Sequence, residues 1–281
     1  MTATLELPPL RQGPQLTVVI PARDEEVTLP HALAALARQR ALDGTALSLG
    51  VYDIVVLANG CRDATARVAR AHADAGEGRC VSVIEVAFPQ ARAHIGTARR
   101  AIMDAVASRY LRAGMQRGIV ASTDADTRVD ERWIAATLDE MRHVDAVTGR
   151  IVLARDELAR LDRSARALYL RDAAHRRLVG ELEALYDPVA HDPLPRHGQH
   201  YGASFAVTAE AYARAGGIPP LPRLEDLAFY NSLERTDARV RHSMRVRVET
   251  SARPSARVDG GFGTFLSDLG ARGTLRLSHP H

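Results

Sequence analysis

The chain has 281 residues, of which 46% are hydrophobic and 25% charged, and its formal net charge is +3 at pH 7. This composition is typical of a globular protein and excludes a disordered chain, a collagen-like repeat and a coiled-coil rod. All 37 basic residues are arginine, which excludes any mechanism that needs a lysine amine. The arginines are interleaved with acidic residues, so the dense basic stripe of a nucleic-acid-binding protein is also absent.

Two cysteines, Cys61 and Cys80, are too few for a disulfide framework and favour a reducing compartment. The first residues lack the basic and apolar segments of a signal peptide. The longest apolar runs are much shorter than the roughly 20 residues that cross a bilayer. We therefore expect a cytoplasmic protein without a membrane-spanning helix, and we leave peripheral membrane contact and homo-oligomerisation open.

The predicted elements alternate between apolar strands and amphipathic helices. Strands are predicted over residues 16–20, 52–57, 80–86, 118–122, 145–153, 203–208 and 240–248, and Pro21 is expected to end the first. Helices are predicted over 64–75, 97–113, 130–141 and 225–236. A further helix is predicted to begin near residue 29, and another to end at residue 215. This alternation predicts an α/β fold with a mostly parallel, doubly wound sheet in one domain.

Three segments do not fit the alternation. Residues 155–186 are charged and helical, and we expect an amphipathic cover or insertion. Residues 187–204 are rich in proline and histidine, which predicts an irregular loop. The tail from Ser251 is rich in glycine and arginine, and we expect it to be irregular.

Polar residues follow the predicted strands at residues 21–25, 58–63 and 123–127. In doubly wound sheets, ligands bind beyond the carboxyl ends of the strands. Asp124 and Asp126 end the fourth strand, and two carboxylates at this spacing can hold Mg²⁺ or Mn²⁺ and, through it, a diphosphate. The alternative is a polar turn whose aspartates cap the backbone that follows.

A second acidic pair, Glu225-Asp226, opens a predicted helix. One of these carboxylates can act as a general base toward a hydroxyl group, or both can simply complement the helix dipole. Arg99 and Arg100 begin another helix and are either phosphate ligands or surface charges. The histidines of the 187–204 loop do not have zinc-site spacing, and we interpret them as loop or acceptor-facing residues.

The ordered set of these motifs resembles family 2 glycosyltransferases with the GT-A fold. The matching segments are VVIPARDEE (18–26), IVVLANGCRDAT (54–65), GTARRA (96–101), ASTDADT (121–127), GASF (202–205) and LED (224–226). The resemblance implies a nucleotide-diphosphate-sugar donor, a divalent cation (Mn²⁺ or Mg²⁺) and an acceptor of unknown identity. It also implies one GT-A domain over 1–281, in which 16–150 bind the nucleotide sugar and 151–281 bind the acceptor.

The resemblance assigns roles residue by residue. The residues that it places around the donor nucleotide are Pro21, Ala22, Arg23, Glu25, Asn59, Arg99 and Asp124. Asp126, together with Asp124, would hold the metal. The residues that would border the acceptor are Gly202, Ala203, Ser204 and Glu225. Asp226 matches the position of the catalytic base in inverting members.

The chain departs from the family pattern in two places. First, Ala58-Asn59 replaces a frequent aspartate pair that reads uracil. Second, no downstream histidine clearly supplies a third metal ligand: His242 lies too early in the sequence, and residues 251–253 lie nearer the position where the family has that ligand. An inverting hexosyltransferase is the favoured function, with a retaining outcome open. The alternatives are a catalytically silent nucleotide-binding protein of the same fold and a haloacid-dehalogenase-type phosphatase that uses the DADT motif.

Overall fold

A computed structural model describes residues 5–10, 15–48, 50–75 and 81–250. Gly76, Cys80 and the tail from Ser251 therefore lie outside the described residues. One eight-stranded sheet forms the centre of the structure. Its strands are β1 (Leu16–Ala22), β2 (Tyr52–Asn59), β3 (Val81–Val86), β4 (Ile119–Ser122), β5 (Thr127–Val129), β6 (Ala146–Leu153), β7 (Phe205–Thr208) and β8 (Val240–Thr250).

The strand order is β3-β2-β1-β4-β7-β6-β8-β5. The first four strands of this order are mutually parallel, as are β6 and β8. Strand β7 is antiparallel to both of its neighbours, and β5 is antiparallel to β8. The predicted α/β class with a mostly parallel sheet is confirmed, and each antiparallel pair of these strands includes β7 or β8. Strand β5 was not predicted, because three residues are too few to show an alternating pattern.

The eight α-helices of the described ranges agree with the predicted helical segments to within a few residues. They are α1 (Leu29–Ala37), α2 (Thr65–Ala75), α3 (Ile95–Arg112), α4 (Trp133–Glu140), α5 (Arg155–Arg160), α6 (Arg163–Tyr186), α7 (Ala209–Arg214) and α8 (Glu225–Glu234). Most of the predicted 187–204 loop is irregular: residues 187–201 contain no helix or strand, whereas Gly202–Ser204 form a short 3₁₀ helix.

The sequence predicted that strand β1 ends at Pro21. In the structure the strand continues to Ala22. Strand β2 pairs with β1 as far as Ala22, whereas β4 pairs with it only as far as Val19. Beyond Val19, β1 therefore has a partner on one side only. A proline can remain in a strand at such a place, because its missing N–H is not needed by a second neighbour.

The sheet is covered on both faces. Alternate residues of β1 enter opposite hydrophobic clusters: Ile20 packs with α1 and α4, whereas Val19 packs with α3, α7 and α8. This period of two is expected for a strand.

Helix α3 packs on β1. Arg99 near its start reaches Asp124 after β4, whereas Arg109 near its end reaches Thr17 at the start of β1. The helix therefore runs against β1, and its start lies at the carboxyl edge of the parallel strands.

Helix α3 carries two buried arginines at its two ends, Arg99 and Arg109. At the far end, Arg109 donates hydrogen bonds to Asp53 Oδ2 (2.7 Å) and Thr17 Oγ1 (2.9 Å), near the starts of β1 and β2. This ion pair lies away from the carboxyl edge of the sheet and joins the helix to two strands. We assign it a structural role.

Helix α6 packs against the body of the protein through few side chains. The Tyr169 hydroxyl accepts a hydrogen bond from Leu153 N (3.1 Å), and Leu168 packs with Tyr169 beside Leu153. No helix in the described ranges is both long enough and apolar enough to cross a membrane.

Candidate active site

The loops that follow β1 and β2 are joined by hydrogen bonds. Asp24 Oδ1 accepts from Arg62 N (2.6 Å), and Glu25 N donates to Thr65 Oγ1 (2.7 Å). The backbone oxygen of Glu25 also accepts from the N–H of Leu29 at the start of α1. Two of the three polar loops that the sequence placed at one edge of the sheet are therefore in direct contact.

The predicted nucleotide-binding residues of these loops differ in exposure. Pro21 and Ala22 are buried within β1, and Asn59 is buried at the end of β2, where its Oδ1 lies 3.5 Å from Phe88 N. Arg23 is exposed, and its guanidinium donates to the carbonyl of Ala93 (2.7 Å). The exposed Arg23 is thus the residue of this group that is most accessible to a ligand.

Arg99 joins the loop after β4 to the start of α8. Its Nη2 donates to Asp124 Oδ1 and its Nη1 donates to Glu225 Oε1, each at 2.5 Å. Arg99 and Glu225 are both 4% exposed, whereas the side chain of Asp124 is 34% exposed. Arg99, expected at the donor, and Glu225, expected at the acceptor, are paired with each other across 126 residues of sequence.

Charge and burial act together on this pair. Burial opposes the charged form of Arg99, but the carboxylates of Asp124 and Glu225 outweigh it and raise the pKa of the guanidinium. Burial raises the pKa of Glu225, Arg99 opposes that rise, and Asp226 adds to it. The cation of Arg99 is therefore what keeps two acidic side chains close together in a largely dry environment.

Asp226 is held by backbone N–H groups. Its Oδ2 accepts from Gly202 N (2.9 Å), and its Oδ1 accepts from Leu227 N (2.8 Å). The side chain is half-buried. A side chain at position 202 would overlap the guanidinium of Arg99, so glycine is required there. Gly202, expected to border the acceptor, therefore packs on Arg99 and fixes the carboxylate of Asp226.

The other two residues of that segment are also buried. Ser204 Oγ accepts a hydrogen bond from Trp133 Nε1 at 3.0 Å, and the Trp133 side chain is completely buried. Ala203 belongs to the core cluster on that face of the sheet. The structure thus places Ala203 and Ser204 behind the site and leaves Asp226 as its more exposed member.

The backbone just before Glu225 is strained. Leu224 has φ 55° and ψ 29° and caps α8 in the left-handed conformation, which costs a non-glycine residue about 1–2 kcal/mol. This conformation turns the chain sharply into α8. It brings Glu225 inward to Arg99 and leaves Asp226 beside Gly202.

Asp124 and Asp126 lie in the turn between β4 and β5, which is closed by a hydrogen bond from Thr127 N to Asp124 O (3.1 Å). Both side chains are half-buried. Carboxylate oxygens suit Mg²⁺ and Mn²⁺, and Mg²⁺ usually binds one or two carboxylates and completes its coordination with water and phosphate oxygens. The pair therefore fits a divalent cation that is shared with a diphosphate.

A second group of ligand atoms was not predicted. In the part of the chain that the structure describes, Asp24, Cys61 and Asp63 are the one trio whose ligand atoms lie within 4.8 Å of one another. Asp63 also accepts hydrogen bonds from Glu26 N and Thr65 N, as expected of the residue that precedes α2. The trio is a second candidate for a metal ion.

The histidines of the 187–204 loop enter a cavity of about 530 Å³ between α6, this loop, α8 and β8. The ring of His200 stacks on Tyr230 with centroids 4.7 Å apart. Burial lowers the pKa of His200, and the negative charge of Asp226 opposes this. Asp226 itself does not line the cavity, but His200 lies two residues before Gly202, which binds Asp226, and Tyr230 lies one helical turn after Asp226 on α8. The histidines that line the cavity are His175, His191, His197, His200 and His242.

His242 pairs with Asp192. Its Nδ1 lies 2.8 Å from Asp192 Oδ2, and its N–H donates to the same carboxylate. The exclusion of His242 as a third metal ligand stays a prediction. Residues 251–253, which the sequence placed nearer that position, lie outside the described residues.

We expect the free energy of unfolding to decrease as the pH is lowered, because of His197. Burial, with the charge of His242, lowers the pKa of His197 to about 3. An unfolded chain takes up a proton near pH 6.5 and the folded protein does not, so the free energy of unfolding decreases between pH 6 and pH 4. The slope is about 1.4 kcal/mol per pH unit.

Urea unfolding from pH 7 to pH 4.5 measures this effect. The stability difference between wild type and His197→Asn should narrow as the pH falls. The control variant His31→Asn, at an exposed position of α1, should keep the wild-type pH dependence. A difference between wild type and His197→Asn that is the same at every pH contradicts the prediction.

Residues 17–192 match the family described as Glycosyl transferase family 2. The match covers more than half of the chain. The chain belongs to glycosyltransferase family 2. The resemblance deduced from the motifs is therefore confirmed. A search by sequence among curated proteins finds no match.

Solved structures with a similar fold include a mannosyltransferase and TarS. A mannosyltransferase from Pyrobaculum calidifontis, in complex with GDP-Man and Mn²⁺, has a TM-score of 0.60 and 17% identity over 97% of this chain and 72% of its own. TarS from S. aureus (residues 1–349), in complex with UDP-GlcNAc, has a TM-score of 0.59 and 12% identity over 94% of this chain and 68% of its own. In a comparison with another TarS structure, this chain spans 60% of the length of that protein. The fold is the GT-A fold.

Proposed function

We propose that this protein transfers a hexosyl group from a nucleoside-diphosphate sugar to the hydroxyl group of an acceptor, with inversion at the anomeric carbon. Family membership supports the reaction class. The observation that carries the rest is the double ion pair of Arg99, which joins the aspartate loop after β4 to the acidic start of α8. A metal-binding loop and a candidate base are therefore fixed relative to each other.

On the donor side, we assign Asp124 and Asp126 to a divalent cation, Mn²⁺ or Mg²⁺. Such a cation, when bound, neutralises charge that develops on a departing diphosphate. The loop with Arg23 and Glu25, together with Asn59, would contact the nucleotide. In this proposal, residues 16–150 bind the donor, and residues 151–281 bind the acceptor.

On the acceptor side, we assign Asp226 as the general base. Gly202 N and Leu227 N orient its carboxylate, and its partial exposure allows an acceptor hydroxyl to approach it. In the transfer, the acceptor oxygen forms a bond to the anomeric carbon as the bond to the diphosphate breaks. The hydroxyl proton passes to the carboxylate of Asp226.

In this proposal Glu225 is a positioning residue and not an acceptor ligand. Its carboxylate is buried against Arg99, so it does not face an acceptor directly. Arg99 and Glu225 act as positioning residues that hold α8 against the loop after β4. The cytoplasmic location expected from the sequence stays a prediction.

Replacing Asp126 tests the metal assignment. Asp126→Asn should weaken the Mn²⁺-dependent affinity for GDP or UDP by roughly 100-fold or more, because a ligand to the bridging cation loses its charge. Isothermal titration calorimetry with each nucleotide, with and without Mn²⁺, measures this. Asp63→Asn is the matched control, because Asp63 belongs to the other candidate group of metal ligands. Loss of Mn²⁺ dependence in Asp63→Asn, with none in Asp126→Asn, would move the site to that group.

A further inference from the structure

Helix α6 turns an apolar stripe toward solvent. Leu178, Leu182 and Leu185 follow one another at spacings of four and three residues, so they share one face of the helix. They are 59%, 54% and 73% exposed. Leu170 lies two turns earlier on the same face, and Tyr186 follows at the end of the helix; both are also exposed. We call these five residues the apolar stripe.

The opposite face of α6 packs against the protein mostly through small and polar groups, apart from Leu168 and Tyr169, which pack beside Leu153. It contains the hydroxyl of Tyr169, the glycine at position 180, which is buried, and Arg176, which pairs with Asp172 (2.8 Å). An ordinary surface helix turns most of its large apolar side chains inward. A large exposed apolar surface of this kind usually marks an interaction site.

Positive charge accompanies the stripe. Arg163, Arg166 and Arg171 are exposed in the first half of α6, and within the described ranges no carboxylate pairs with them. Arg177, next to the stripe, pairs with Glu181 (2.8 Å). Leucines on one face together with unpaired arginines are the features of helices that lie in the interface of a membrane. Arginines near the surface attract anionic lipids.

The stripe is continuous with the histidine-lined cavity. A groove of about 460 Å³ is lined by Leu182 and Tyr186 of the stripe and by Val179, Val189 and Arg196. The last three residues also line the histidine-lined cavity. An amphiphilic molecule that lies against the stripe would therefore have a path into the histidine-lined cavity, whose Tyr230 is on the same helix as the candidate base.

We propose that α6 docks on the surface of an anionic lipid bilayer, with the apolar stripe among the acyl chains and Arg163, Arg166 and Arg171 at the headgroups. The docking site stands on the exposure and charge of α6 alone. A consequence, which rests on the proposed function, is that the histidine-lined cavity opens at the membrane surface and takes an acceptor carried by a lipid.

Vesicle co-sedimentation of the full chain tests the docking. We expect the protein to bind vesicles of phosphatidylcholine with 30% phosphatidylglycerol (roughly one anionic lipid in three), and to bind pure phosphatidylcholine roughly tenfold more weakly. The variant Leu178→Gln/Leu182→Gln and the variant Arg163→Gln/Arg166→Gln/Arg171→Gln should each lose roughly tenfold or more of the affinity for anionic vesicles.

Two controls carry the same number of changes at exposed residues elsewhere. Leu42→Gln/Leu111→Gln and Arg38→Gln/Arg67→Gln/Arg112→Gln should bind as wild type does, although the second also lowers the net charge by three. Equal losses of vesicle affinity in a variant and its matched control would overturn the docking surface. Failure of the wild-type protein to bind anionic vesicles would also overturn it.

The competing occupant is a second copy of the chain. Light scattering of the protein without lipid, coupled to size exclusion, should give a monomer mass for wild type. A dimer that Leu178→Gln/Leu182→Gln converts to a monomer would overturn the proposal in favour of self-association. Asp126→Asn should bind vesicles normally, and because the vesicle assay uses neither donor nor acceptor, the docking site and the proposed reaction can fail independently.

Discussion

Replacing Asp226 with asparagine should lower turnover by about 10²–10⁴-fold, the usual contribution of a general base. The amide oxygen of asparagine can still accept the hydrogen bond from Gly202 N, so the fold and the affinity for nucleotide diphosphates should change little. The release of GDP or UDP from the matching sugar nucleotide, measured with an acceptor present, tests the first part. Calorimetry with the nucleotide and Mn²⁺ tests the second.

Glu210→Gln is the matched control for this experiment. Glu210 occupies the second position of α7, as Asp226 does in α8, and is exposed. If Asp226 only complements the dipole of its helix, the two variants should behave alike and retain turnover. Wild-type turnover in Asp226→Asn would remove its assignment as the base.

Replacing Arg99 with methionine should lower the free energy of unfolding by about 3–5 kcal/mol, the usual cost of breaking a buried ion pair by removing one partner. Methionine fills part of the space but leaves the buried carboxylate of Glu225 and the partly exposed one of Asp124 without a cation. Without Arg99, burial and the charge of Asp226 would raise the pKa of Glu225 further, so Glu225 would take up a proton more readily or force α8 away from the loop. Urea unfolding at pH 7 measures the loss.

The double variant Arg99→Met/Glu225→Leu should recover part of that loss, because an apolar replacement of both partners is often tolerated. Arg112→Met, at the exposed end of the same helix, should cost less than about 0.5 kcal/mol. A cost for Arg99→Met as small as that of Arg112→Met would show that the ion pairs do not hold the site together.

The sequence predicted the parallel half of the sheet well, because buried strands there are continuous apolar runs and their ends carry polar residues. The position of these polar loops at one edge follows from the parallel arrangement alone. Strand β5 was missed because Thr127–Val129 is held by pairing with β8, more than 100 residues later, and not by a local pattern.

The partners of the site residues could not be predicted. Arg99 and Arg109 are ten residues apart on one helix and both are buried. One lies at the carboxyl edge of the sheet, and the other pairs with Asp53 near the opposite edge. Only the direction in which α3 crosses the sheet distinguishes them. The need for glycine at position 202 depends on Arg99, 103 residues earlier, and leaves no local signal.

The hydrogen bond between Trp133 and Ser204 gives the protein a built-in optical reporter. Trp133 is the one tryptophan of the sequence, its indole is shielded from water, and Ser204 lies two residues after the glycine that orients Asp226. Intrinsic fluorescence excited at the indole band therefore comes from a single known place behind the reaction centre. A change in its intensity or wavelength when GDP, UDP or Mn²⁺ is added would follow binding without a label.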